Sequence, residues 1–489
     1  MNNPGDVRMV RILVSSLILL SATAAASAQG VIGAEIQLTV QPAKEPVPAL
    51  KYQFLPELRD QSPGNAATHY HRAMLAYRDK RGALDPEQRR ELMQQVEKWS
   101  DLPLNKLPRT EMRGYFERFK EVFNLVQRAA RCERCDWNLG ESIRQDGFET
   151  LLPELQGMRE FANLLRDKIR LELAEGNLDE AARTLRTGFT MARHTSEAPT
   201  LISSLVSIAI GTIMLGQVDQ FVQQPGAPNL YWALTDLPRP LVDVHKALQS
   251  ERLLATSLFP GLREMAADLK AGPMSPQQTA DAVTKFAKIA GPTKPGEEDA
   301  RRLAILNMAG QMHAEAKKFL VEQGRKEEDV EKMPMIQAVL IYQLDEHDRA
   351  LDDLIKLQSL PYHEAQPRRA EVETKFRAQM AKHGGVGLTL AGLFVPAVEK
   401  VNAAQVRIER KIAALRCVEA MRMYAAAHDG KPPAKLDASK VVPIPSDPFT
   451  GKPFIYKTEE NKAIIQGPAP DGARPFINNY IRYEVTLKK

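Results

Sequence analysis

From about Gly64 to about Leu357, apolar residues recur every three or four positions, and no alternating strand pattern interrupts them. A helix needs a period near 3.6 and a strand needs a period of two, so this stretch can build its core only by packing helix on helix. Thr110 precedes Met112, Tyr115, Phe116, Phe119, Val122, Phe123 and Val126, which predicts one long helix with a single apolar stripe. Leu303, Leu306, Met308 and Phe319 continue the period, as do Ile336, Leu340, Leu344 and Leu351. Asp85-Pro86-Glu87 supplies a cap, a Pro at the first helical position and an acid in the first turn, and Ser275-Pro276-Gln277-Gln278 fits a capping box.

Two stretches are apolar beyond this pattern. Leu201 to Leu215 carries no charge but is interrupted by Ser203, Ser204, Ser207 and Thr212, and reads as a buried central helix. Gly384 to Val398, Gly-rich and broken by Pro396, reads as a buried connector or as a surface that meets a membrane or partner.

The pattern changes near Glu399. A helix is predicted to about His428, with Ile408, Ile412, Leu415, Met421 and Met423 among its apolar positions; Gly430 ends it, and Pro432-Pro433 follow. Pro443, Pro445, Asp447-Pro448 and Thr450-Gly451 are turn chemistry. Phe454 to Tyr456, Ala463 to Ile465 and Tyr480 to Leu487 read as strands of a small antiparallel sheet. The expected fold is therefore mainly α: a stacked helix-hairpin array, then a long helix with a small sheet.

Arg8 and Arg11 precede an apolar run, Ile12 to Leu20, and small residues follow to Ala26-Ser27-Ala28. This is the form of a cleaved secretory signal. No Cys follows the run, which argues against a lipid anchor. The expected organisation is a signal over 1–28, a Pro-rich linker over 29–56, a helical array over 57–398 and a helix-plus-sheet module over 399–489. The expected location is exported, periplasmic or secreted, with no stable transmembrane segment once the signal is removed.

Of the 489 residues, 44% are hydrophobic, enough for a real core, and the net charge of +5 spreads thinly over the chain. No Lys/Arg cluster interleaves with aromatics, so a nucleic-acid partner is not expected. No G-x-S-x-G and no H-E-x-x-H occurs. Gly451-Lys452 lacks the upstream Gly of a phosphate loop, and Gly385-Val386-Gly387 continues to Leu390 where a dinucleotide fingerprint needs Gly. Neither a cofactor nor a metal is expected. Asp345, Glu346, His347, Asp348, Asp352 and Asp353 form the densest carboxylate–histidine cluster. Asp348 and Asp352 would share a helix face able to hold a cation, and Asp345 pairs naturally with Arg349; the cluster reads as a solvated charged face.

Three cysteines cannot build a disulfide scaffold. Cys132 and Cys135 lack the His that haem attachment would need, since Asp136 stands there, and lack two further zinc ligands of suitable spacing. At the close of a long helix they fit a local disulfide or two buried thiols. An electron-transfer dithiol would require them to be accessible. Cys417 reads as a small buried hydrophobe. Asn229-Leu230-Tyr231-Trp232 is the leading binding candidate, because Tyr and Trp offer flat faces with polar edges for a peptide or sugar. Arg239 and Asp243 follow at a spacing that permits a pair on the next helix. The alternative is that these residues anchor an interhelical loop in the core.

Met158, Phe161, Leu165 and Ile169, the turn Glu175-Gly176-Asn177, then Ala181, Leu185 and Gly188 resemble one tetratricopeptide helix pair, without that family's early aromatic. Pro228 to Thr235, Leu237 to Asp243, Glu419 to His428, Asp447 to Phe454 and the Gly64-Asn65-Ala66 segment together resemble a family of exported helical proteins of planctomycete-type bacteria. That resemblance brings no known activity. The C-terminal tail alone is similar to the globular end of pseudopilins, whose loops in some members hold calcium. Asp447 and Asp471 would be the acidic candidates here, and the pseudopilin N-terminal signature is absent.

With no catalytic set visible, the expected role is an exported structural or partner-binding scaffold of the cell envelope, its partner another envelope protein or a peptide. A hydrolase of envelope polymers, with a site assembled from distant residues, is the alternative.

Overall fold

The computed structural model describes residues 35–146, 153–258, 261–289, 298–382, 390–438, 440–469 and 479–488. The signal-type segment, Gly384 to Thr389 of the apolar Gly-rich stretch and Asp471 lie outside these residues. The described chain is mainly α, with 17 helices and a small mixed sheet. The N-terminal helices are α1 (Ala66–Gly82), α2 (Pro86–Asp101), α3 (Arg109–Arg118), α4 (Lys120–Ala129), α5 (Leu139–Asp146), α6 (Pro153–Ala174), α7 (Leu178–Ser196), α8 (Leu201–Phe221) and α9 (Tyr231–Thr235). They are followed by α10 (His245–Leu258), α11 (Leu262–Ala267), α12 (Pro276–Ile289), α13 (Glu298–Glu322), α14 (Glu327–Glu331), α15 (Met335–Ile355), α16 (Tyr362–Lys382) and α17 (Leu390–Ala427). The capping box of Ser275 with Gln278 forms, and the cap at Asp85 also closes as a box, with Gln88.

The strands are β1 (Glu35–Val40), β2 (Ser62–Asn65), β3 (Cys132–Arg134), β4 (Ile455–Glu459), β5 (Lys462–Gly467) and β6 (Ile481–Leu487). The four-stranded sheet has the order β1-β6-β5-β4. The last three strands are antiparallel, but β1 joins β6 in parallel, from Glu35↔Arg482 to Val40↔Leu487. The sheet is thus mixed, and the expected linker over 29–56 contains a strand. Ile36, Leu38 and Val40 alternate with polar residues, and burying Leu38 and Val40 against the C-terminal module outweighs the Pro-rich flank.

Two large hydrophobic clusters result, with a small third one at Tyr231, Ala420, Met423 and Val442. The larger one runs from Leu38 in β1 to Leu487 in β6, through α1, α3, α4, α6–α8 and α17. The second unites α11–α15, from Leu262 to Leu344. Helix α15 belongs to both, since Leu351 and Leu354 lie in the larger cluster. The expected boundary at 398/399 falls inside α17, a single 38-residue helix. The predicted helix after Thr110 is also divided. Phe119 leaves helical geometry (φ −99°, ψ 12°) where its ring enters a cluster with Tyr77 and Tyr115 at 5.3 and 4.8 Å.

Helix α8 is the one described helix long and apolar enough to cross a membrane, and most of it is buried inside the protein. Some of its polar residues are satisfied locally: Thr200 Oγ1 accepts from Ser203 N at 3.0 Å, and Thr212 donates to Ile208 O at 2.8 Å. Close approach of its neighbours needs Gly211 of α8 and Gly188 of α7. A Cβ at Gly211 would collide with Ile408 of α17, and one at Gly188 with Met214. The α6–α7 turn closes through Gly176 in the left-handed region (φ 77°), so the tetratricopeptide-like segment is a helix hairpin.

Helix α17 carries buried charges that fix distant segments to it. Fully buried Arg422 pairs with fully buried Glu419 at 2.7 Å and donates to Gln41 O at 2.9 Å and Ala227 O at 2.7 Å. Lys411 Nζ meets Asp219 of α8 at 2.6 Å, and Tyr483 of β6 donates to the other oxygen of that carboxylate at 2.9 Å. Arg410 meets Asp447 at 2.6 Å and donates to Asn479 O at 2.6 Å. A buried pair loses far more when one partner is removed than when both are replaced. Arg422→Met is therefore expected to lower unfolding free energy by about 3–5 kcal/mol in a urea titration. The double replacement Arg422→Met with Glu419→Leu should recover part of that loss.

Candidate functional site

Of the sequence-predicted residues, Asn229 and Tyr231 occupy the interior, Trp232 is half-buried, and Arg239 and Asp243 are exposed. Asn229 is 2% exposed and Tyr231 0%. Asn229 donates to Glu419 O at 2.8 Å, its Oδ1 accepts from Tyr231 N at 3.0 Å, and Glu419 accepts from Leu230 N at 2.7 Å. The Tyr231 hydroxyl donates to Pro443 O, and the Arg416 guanidinium lies 5.2 Å from its ring. These two residues present no face to a partner; they pin an interhelical loop onto α17. Trp232 is half-buried and its indole N–H goes to Glu45. Arg239 and Asp243 form no pair. Arg239 lies beside Arg416 and Glu409, preceding the cis peptide to Pro240, and Asp243 accepts from His245 N at 2.9 Å at the start of α10.

Cys132 and Cys135 are unlinked, buried thiols. Rather than closing a helix, Cys132 opens β3, which pairs with β2 beside Asn65. Burial pushes both thiols up, most strongly Cys135, so thiolate is suppressed and an electron-transfer role loses its accessible nucleophile. Cys417 is fully buried. Asp447 is fully buried against Arg410 and caps its own turn through Phe449 N at 3.0 Å, so it is not available to calcium. The Asp345–Asp353 cluster is taken up by basic residues: Asp345 by Arg349 at 2.6 Å, Asp348 by Arg263 at 3.0 Å, Asp352 by Arg252 and Asp353 by Lys356. His347 departs from the expected solvated face. It is fully buried, and burial beside Arg252 and Arg263 pushes it down to about 4.

The open feature with convergent chemistry is a cleft of about 450 Å³ between α1, α2, α3 and α6. Its floor is aromatic: Tyr77 of α1, Tyr115 of α3 and Phe119. Helix α6 contributes Glu160, Asn163, Leu164 and Asp167, which share one face by the spacing of three, four and seven. Asp167 is 1% exposed and gripped by Arg166 through two hydrogen bonds, at 2.8 and 3.2 Å. Burial raises its carboxyl from the ordinary value, with Arg166 and Arg170 opposing. Arg81 lies 5.4 Å over Tyr77 and 3.7 Å from Glu160.

The remaining wall, α2, is loosely seated. Trp99 is its one buried residue, and Met93 is 56% exposed. Its C-terminal end is clamped by Arg170 of α6, whose guanidinium donates to Trp99 O at 2.9 Å and also to Ser100 O and Leu102 O. That uses the free carbonyls of a helix end to hold a cation. Sequence reasoning missed this cleft. The Glu160-Asn163-Leu164-Asp167 stripe is visible as a period, but a polar stripe beside an apolar one reads as solvent-facing until α2 is placed over it.

Compared with protein-family models, curated proteins and solved structures, the chain finds no match.

Replacing the clamp, Arg170→Met, should speed tryptic cleavage at Arg90 severalfold while cleavage within α13 is unchanged. A second test concerns α10, where Glu251 is 4% exposed and burial pushes its carboxyl up to about 8, opposed by a hydrogen bond from Leu201 N. The folded value exceeds the ordinary 4.5, so this group's stabilisation is complete below about 4.5 and is lost as pH rises through about 8. The stability of Glu251→Gln relative to the parent should therefore grow between pH 5 and pH 9 in urea titrations.

Proposed function

We propose that this protein is an exported partner-binding scaffold of the cell envelope, and that the cleft under α2 receives a polypeptide segment of the partner. Export rests on the Arg8/Arg11, Ile12–Leu20 and Ala26-Ser27-Ala28 pattern. The observation that carries the binding reading is the cleft itself. Aromatic rings form a floor, charged groups of both signs line it, and one wall is a helix that buries a single side chain. Aromatic and Arg side chains in a desolvated hollow are the residue types that dominate binding energy at protein interfaces. Three carboxylates line the cleft, Glu97, Glu160 and Asp167. The two on α6, Glu160 and Asp167, are each paired with a guanidinium, Asp167 through two bonds, and Glu97 is exposed on α2, which favours recognition over proton transfer.

The test is a photo-crosslinking amino acid placed at Met93, with a control at exposed Leu303, in the full chain in its native envelope. A single partner captured at fixed stoichiometry from Met93 and not from Leu303 is the expected result. Equal products from both positions, or none from Met93, would contradict the reading.

A further inference from the structure

The two arginines at the mouth of the cleft have more donors than the fold uses. Arg89, on the first half of α2, gives one hydrogen bond, to Leu84 O at 3.2 Å, while its Nε is shielded from solvent and has no acceptor within reach. Arg81, at the end of α1, spends its donors on a loose contact with Glu160, on the Tyr77 hydroxyl and on a thioether, Met93 Sδ, at 3.1 Å. A guanidinium normally finds carboxylate, phosphate or carbonyl oxygen when partly buried, because an unmet N–H there is costly. Arg89 and Met93 are four residues apart on one helix and so share a face. The Arg81 contact to Met93 therefore brings both guanidiniums to the same rim of the cleft. Below that rim lie Tyr77 and Tyr115. The pI of about 8.9 adds a weak general attraction for acidic partners.

We infer that the cleft selects an acidic polypeptide segment, with a side-chain carboxylate seated between Arg81 and Arg89 and a neighbouring aromatic or aliphatic side chain on the Tyr77–Tyr115–Phe119 floor. This rests on the reading of the cleft as a polypeptide site. Carboxylate suits the rim because each oxygen can take two donors, so one group satisfies the Arg89 Nε–H and releases Arg81 from its thioether contact. The apolar neighbour would bury surface that α2 leaves open above the floor.

The test uses the purified full chain and short fluorescein-labelled peptides of alternating Glu and Phe, their Lys-for-Glu counterparts and their Ser-for-Phe counterparts, read by fluorescence anisotropy. The Glu/Phe peptide is expected to bind, and both counterparts to bind at least about tenfold more weakly. Arg89→Gln should weaken Glu/Phe binding by about tenfold, and Arg81→Gln similarly, whereas Arg90→Gln, an equal change in net charge one residue away, should leave it unchanged. Thermal unfolding confirms that each variant is folded. Equal binding of the Glu and Lys peptides, equal loss from Arg89→Gln and Arg90→Gln, or no binding of the Glu/Phe peptide would overturn the inference. If crosslinking from Met93 still captures one partner, the cleft reading stands and only its acidic selectivity fails; if it captures none, both fail.

Discussion

The structure depends on cations buried along α17. A guanidinium or ammonium removed from water is costly unless its charge is paired and its donors find acceptors, so each such residue favours one position for the segments that supply those acceptors. Arg422 requires the carbonyls of Gln41 and Ala227 and the carboxylate of Glu419. Lys411 requires Asp219 of α8, which Tyr483 of β6 also reaches. Arg410 requires the turn at Asp447 and the carbonyl of Asn479. One helix therefore specifies where the N-terminal segment, the central apolar helix, the loop before α9 and the C-terminal sheet must lie. The parallel pairing of β1 with β6 follows from that placement.

This arrangement explains which parts of the fold were legible beforehand. Period and caps are local properties, and they located α2, α8, α12 and the C-terminal strands from the residues alone. Strand β1 carried a clean period of two, Ile36-Leu38-Val40, but its partner lies at the other end of the chain, and no local rule reveals that. The break at Phe119 was also invisible, because it arises from tertiary contact with Tyr77 and not from a Gly or Pro. The segment from Asn229 to Trp232 read as a binding candidate because Tyr and Trp offer flat faces with polar edges, with an interhelical anchor as the alternative; Asn229 and Tyr231 are buried. Their burial is decided by Glu419, almost 200 residues away in sequence. Sequence reasoning named Ile408, Ile412 and Leu415 as the buried face of this helix but gave no weight to Arg410, Lys411, Glu419 and Arg422, which look like solvated charge in a helical period.

The same physics separates the rigid part of the molecule from the part suited to recognition. Along α17 the buried pairs Arg422–Glu419, Lys411–Asp219 and Arg410–Asp447 tie distant segments together, although the Arg410 Nε meets no acceptor, and removal of one partner leaves the other stranded. Around the cleft, charge is under-used: Arg89 retains an unmet Nε, Arg81 rests on a thioether, and α2 is held mainly by Trp99 and by the Arg170 clamp at one end. A wall fixed at one end and lightly seated elsewhere belongs to the low-stability end of a protein's opening spectrum, where binding elements are commonly drawn from.

Hydrogen–deuterium exchange of the full chain, resolved by peptide, tests this division most directly. The account predicts that α17, β1, β5 and β6 exchange together as the slowest unit, while 86–98 in α2 exchanges orders of magnitude faster than α6 beneath it. Equal protection of α2 and α6, or exchange of β1 well ahead of α17, would contradict it.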